Sequence, residues 1–237
     1  MNIARSRHTS IVLSTGNVLV SGGLNGNIYL NSAELYYPAT GTWTTIEKMH
    51  VARIKHAASV LLNGKVLVSG GCHDNIGYLN SAELYDPDTQ NWTNTGNMIT
   101  AREDHTSSLL SNGKVLITGG YTTRGIYLNS AELYDPATGT WTVTGNMSTE
   151  RWGHGASLLQ NGKVLVNGGR NGNIYLNSAE LYDPATGTWT TAPSMNIARS
   201  QHSSIVLSTG NVLVSGGLNG NIYLNSAELY VYEIKNS

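Results

Sequence analysis

Residues 112–141 read NGKVLITGGYTTRGIYLNSAELYDPATGTW, and this stretch decides the fold. Asn112-Gly113 is a hairpin turn of the Asn-Gly type, so the segment before it, His105 to Leu110, reads as a first strand. Lys114 to Thr118 is a short β-branched run that stops at the pair Gly119-Gly120, which gives a second strand. A loop from Tyr121 to Asn129 leads to Ala131-Glu132-Leu133-Tyr134, whose alternation fits a half-buried third strand. Asp135-Pro136-Ala137-Thr138-Gly139 is a turn, and Trp141 to Thr144 follows as a fourth strand. Helical periodicity is absent, so the chain is predicted to be all-β.

The same unit is written five times. Paired glycines stand at Gly22-Gly23, Gly70-Gly71, Gly119-Gly120, Gly168-Gly169 and Gly216-Gly217, in steps of 48 or 49. Tryptophans recur at Trp43, Trp92, Trp141 and Trp189. Each unit carries Arg-x-x-His (Arg5/His8, Arg53/His56, Arg102/His105, Arg151/His154, Arg199/His202) and the run SAELY with its glutamate (Glu34, Glu83, Glu132, Glu180, Glu228). The copying explains the composition. Ten of the 13 tyrosines belong to two repeated positions, and a parent unit without phenylalanine leaves none in 237 residues.

Composition also narrows function. Only 12% of residues are charged and the net charge is -1, which removes the electrostatic case for nucleic acid or an anionic membrane. One cysteine forms no internal disulfide. The start, MNIARSRHTSIVL, lacks the basic segment and apolar core of a signal peptide, and no apolar run approaches a membrane-spanning length. The expected compartment is cytoplasmic by default.

Four short strands in about 48 residues, a double glycine, and a Tyr followed seven residues later by Trp in four of five units together resemble the kelch repeat. The spellings NGKVLV-x-GG and SAELYDP look most like kelch-type propellers related to galactose oxidase. The resemblance covers essentially the whole chain and implies a five-bladed kelch-type β-propeller, four antiparallel strands per blade, in one domain over 1–237. The expected units are 1–49, 50–98, 99–147, 148–195 and 196–237. The last lacks the DP-x-T-x-x-W turn and outer strand, so the fifth blade is expected to be three-stranded. Residues 1–36 and 195–230 differ only at Arg7/Gln201 and Thr9/Ser203, so no N-terminal strand remains to complete that blade. The first and last blades are then expected to meet by face packing. Ala227 to Tyr230, extended to Val231–Ile234, would form a bare edge open to self-association.

Strands that run up and down a blade put first-to-second and third-to-fourth turns on one face of the ring. Second-to-third loops and inter-blade connections lie on the other. The first face is nearly constant between units; the second varies, and kelch resemblance also places partner binding there. The candidate contact residues are Trp152, with Tyr121, Arg124 and Arg170 in the loops and Glu103 and Asp104 in the connections. Trp152 is a candidate aromatic anchor if it is exposed, although packing over the neighbouring blade is the favoured reading of it. The Arg, His and Glu rings recur in every unit, as architecture requires and a single active site does not. They are read as structural pairs, and the tryptophans as inter-blade packing. Cys72-His73-Asp74 are adjacent, without a second Cys/His pair at zinc spacing, so no metal is expected. The only cysteine lies in a variable loop and no nonrepeating catalytic segment is present, so the copper-radical chemistry of galactose oxidase is not expected either. The resulting expectation is a noncatalytic scaffold without a cofactor that binds a protein, peptide or glycan. The alternative is a self-assembling repeat array.

Overall fold

The structure, a computed structural model, describes residues 1–231, and of Arg124 the backbone alone. It is an all-β propeller of five blades. In the third blade the strands are Thr106–Leu109, Val115–Thr118, Ala131–Asp135 and Thr140–Val143, hydrogen-bonded in that order and all antiparallel. Blades one, two and four repeat this order, and the fifth is the expected three-stranded sheet of Ser203–Val206, Val212–Ser215 and Ala227–Tyr230. Residues 232–234 of the expected edge lie outside the described residues. The second-to-third segment, read as plain loop, contains a two-residue antiparallel ribbon in every blade, Tyr121–Thr122 against Ile126–Tyr127 in the third. Two residues per strand are too few to leave a period in the sequence. No helix among the described residues is long and apolar enough to cross a membrane.

Blades cohere through one repeated apolar contact. Leu110, Leu116, Ala131 and Met147 of the third blade pack on Val164, Val166 and Tyr182 of the fourth. Equivalent clusters join the first to the second, the second to the third, and the fourth to the fifth. Burying each such side chain contributes about 1.5–3 kcal/mol. The tryptophans add a polar latch to the preceding blade: the indoles of Trp92, Trp141 and Trp189 donate to the carbonyls of Glu47, Gly96 and Gly145 at 2.9, 2.7 and 2.7 Å. No such cluster among the described residues joins the fifth blade to the first, which corrects the expectation that the two ends meet by face packing.

The double glycine is a contact point between blades. Gly120 N–H donates to the Arg151 carbonyl of the next blade at 2.8 Å. Gly119 has φ +60°, and a Cβ there would fall 2.4 Å from the Arg151 carbonyl oxygen and 2.7 Å from the His154 ring. Gly119→Ala is therefore expected to destabilise the fold by about 2–3 kcal/mol, through left-handed strain and displacement of the next blade. Urea denaturation checks this, and an unchanged midpoint would contradict it.

Candidate functional site

The Arg, His and Glu rings lie inside the blades. Arg102 is fully buried; its guanidinium donates to Glu132 Oε1 at 2.7 Å and to the carbonyls of Gly119 and Ser130 at 2.7 and 3.1 Å. Glu132 also accepts the backbone N–H groups of Ile99 and Thr100 at 2.7 and 3.0 Å. The other four units repeat the ion pair, always within one blade. The histidines lie behind the inner strands, where His154 Nε2 meets Thr106 Oγ1 at 3.0 Å and Thr118 Oγ1 at 3.2 Å. Burial first, and then the neighbouring arginine charge, pushes His105 down to about 3 and His202 to about 4; His56 and His154 are also held well below the ordinary value.

The variable residues converge elsewhere. The second residue between Arg and His reads Arg7, Lys55, Asp104, Gly153 and Gln201 in successive blades, and all five have φ between 51° and 59°. Their backbones form a relay around the channel mouth: Lys55 N–H to Arg7 O, Asp104 to Lys55, Gly153 to Asp104, and Gln201 to Gly153, at 2.7–3.1 Å. Left-handed backbone is uncommon outside glycine and concentrates at functional sites. Gly153, standing where the other units carry side chains, is the one sequence sign of it. The relay rims a depression of about 560 Å³ lined by Arg7, Lys55, Asp104, Trp152 and Gln201, with ring histidines beneath.

The residue before each mouth position forms a backbone bridge to the ribbon of its own blade, Glu103 to Tyr121 and Trp152 to Arg170 among them. This bridge brings Trp152, Tyr121 and Arg170 together. The Trp152 ring lies parallel to Tyr127 at 6.5 Å and 6.3 Å from Tyr121. Arg170 Cζ sits 5.0 Å over Trp152 and 4.7 Å over Tyr175. Tyr78 continues the tier edge-on to Tyr121 at 5.2 Å. Sequence reasoning missed Tyr78, Tyr127 and Tyr175 because they belong to a repeated ring, and repetition alone gave no sign that this ring faces the variable loops.

Trp152 is half-buried rather than exposed, packed between the ribbon tyrosines and Arg170, and its indole N–H is buried without a hydrogen-bond acceptor. Such an unpaired donor is costly, and a bound acceptor would satisfy it. Glu103 and Asp104 do not join the aromatic tier. Lys55 Nζ reaches Glu103 Oε1 at 2.8 Å and Asp104 Oδ2 at 2.9 Å, an ion-paired wall on the other side of the mouth. Burial raises the Glu103 pKa, only partly offset by Lys55; for Lys55 the two carboxylates outweigh burial and raise it. Arg124 lies in the turn Thr123–Gly125, and its side chain is outside the described part. Cys72 and His73 lie in a ribbon, and among the described residues no three His, Cys, Asp or Glu side chains cluster as a metal site. The opposite face carries clefts between constant turns, such as that lined by Asn63, Asn112, Gly113 and Asp135.

Two family models match the sequence. One is described as the KLHDC2/KLHL20/DRC7 Kelch-repeats domain, over residues 55–237, and the other as the Kelch motif, over residues 5–50. No curated protein matches. Among solved structures, one titled "Structure of YjhT" superposes with a TM-score of 0.80 at 18% identity, covering 95% of this chain and 81% of its own. At that identity the likeness is one of fold.

Proposed function

The chain belongs to the Kelch-repeat family, whose propellers suit protein binding, and on that premise we propose a noncatalytic scaffold that takes an extended peptide segment of a partner at the channel mouth. The observation that carries this reading is the tier of Tyr78, Tyr121, Tyr127, Trp152, Arg170 and Tyr175, gathered from three blades beside the mouth. Rigid aromatic side chains bury large area at little entropic cost, and tryptophan, tyrosine and arginine dominate binding energy at protein interfaces. The buried indole N–H of Trp152 offers a donor to a peptide carbonyl. The repeated rings support the noncatalytic part. Their arginines and glutamates are paired, and most of their histidines are buried in neutral form.

Peptides selected on the wild-type protein from a displayed library are expected to lose about 30-fold or more in affinity on Trp152→Ala, roughly 2 kcal/mol. Lys114→Ala, on the opposite face, is expected to leave binding unchanged. A glycan array run in parallel distinguishes the sugar alternative: Trp152-dependent glycan binding without peptide binding would replace this reading.

A further inference from the structure

The apolar clusters, the double-glycine contacts and the mouth relay each join neighbouring blades four times, and among the described residues all three are missing at the same seam. The N–H groups of Gly23, Gly71, Gly120 and Gly169 donate to the carbonyls of Arg53, Arg102, Arg151 and Arg199, but among the described residues Gly217 meets no such carbonyl. A Cβ on Gly22, Gly70, Gly119 or Gly168 would lie 2.4–2.5 Å from the next blade's arginine carbonyl, whereas on Gly216 the nearest atom is Leu224 O at 3.7 Å. Among the described residues the mouth relay ends at Gln201 without returning to Arg7. Among the described residues nothing covers the two faces beside this seam: Ile205 and Leu229 of the fifth blade are 58% and 51% exposed, and Val12 of the first is 62% exposed.

What fits these faces is already present in the chain. Leu213, Ala227 and Leu229 repeat Leu19, Ala33 and Leu35, which cover Val66, Val68, Tyr85 and Trp92 of a neighbouring blade. Val18 and Tyr36 repeat Val212 and Tyr230, which are covered by Leu159, Leu165 and Leu181 of a neighbouring blade. The superposed structure leaves about a fifth of its own chain unmatched, a share the size of one blade. We propose that the seam between the fifth and first blades is a docking site for one further kelch-type blade, a four-stranded unit of the pattern of residues 99–147. Its valine and Tyr…Trp face would seat on Leu213, Ala227 and Leu229, and its leucine and alanine face on Val18 and Tyr36. A second copy of this chain fits less well, because entering with its first blade would drive its second into the first blade already present. The site is distinct from the channel mouth and does not depend on the peptide-binding reading.

The test mixes the 237-residue chain with a synthetic peptide of the sequence of residues 99–147, which carries both faces. The expected result is a complex of one chain and one peptide by light scattering, with Trp43 emission shifted to the blue. Leu229→Asp and Val12→Asp, both at exposed positions, should each weaken it about tenfold or more. In a second arm the same unit is joined to the C-terminus by a flexible linker, and the fusion should unfold in one transition at a higher temperature than the chain alone. No complex together with an unchanged or separate transition in the fusion overturns the proposal. So does binding indifferent to both aspartate substitutions, or a chain dimer formed without peptide.

Discussion

Lowering the pH from 6.5 to 4.5 is expected to remove much of this protein's stability before most of its carboxylates titrate. His56, His105 and His154 are buried in neutral form, and His202 nearly so. Their folded pKa values are depressed, to about 3 for His105 and about 4 for His202, by burial first and the arginine charge second. Below the unfolded value near 6.5 the unfolded chain therefore binds more protons than the folded one. The stability these groups contribute is complete above that value and falls as pH falls. Each contributes at most about 1.4 kcal/mol per pH unit, so four contribute roughly 5 kcal/mol per unit against a total of 5–15 for a typical domain. Glu34, Glu83, Glu228, Asp86, Asp135 and Asp183 have pKa values lowered by their bonding partners, and they add a second loss only below the ordinary carboxylate range. Urea midpoints measured at half-unit steps should fall steeply between pH 6.5 and 4.5. A flat profile over that window contradicts the neutral histidine ring.

Arg102→Ala is expected to destabilise the fold by about 3–5 kcal/mol while leaving ligand affinity per folded molecule unchanged. The guanidinium has no exposed surface, and removing it leaves Glu132 ionised, buried and short of its counter-charge. It also frees the carbonyls of Gly119 and Ser130 in a dry site. The Ile99 and Thr100 amides still reach Glu132, but two neutral donors do not replace a charge. Arg102→Met combined with Glu132→Gln should cost less than the single alanine substitution, because no unpaired charge remains. Chemical denaturation of the two variants measures the difference. Loss of binding with stability intact would instead mark the ring as part of a ligand site.

Strand pattern, blade count and the short fifth blade were legible because Asn-Gly turns, double glycines and the Asp-Pro turns recur at fixed spacing. The direction of the Arg–Glu pairs was not. Equal numbers permit pairing within or between blades, and only the register that sets Ala131 opposite Thr118 puts Glu132 beside Arg102. The aromatic tier was half legible: Trp152, Tyr121 and Arg170 stood out as variable, whereas Tyr127 and Tyr175 were hidden by their regularity. The burial of Trp152 depends on the two-residue ribbons, which no periodicity announces. The open seam follows from how blades pack face to face, a three-dimensional relation that near-identical terminal sequences do not reveal.

In the proposed reading, repeated residues hold the blades together and variable residues bind the peptide. Affinity of a library-selected peptide and urea midpoint, both measured on Trp152→Ala, test that division most directly. The expected result is a midpoint close to wild type with affinity reduced about 30-fold or more. Wild-type affinity in that variant, or affinity lost only in proportion to lost folded protein, would contradict it.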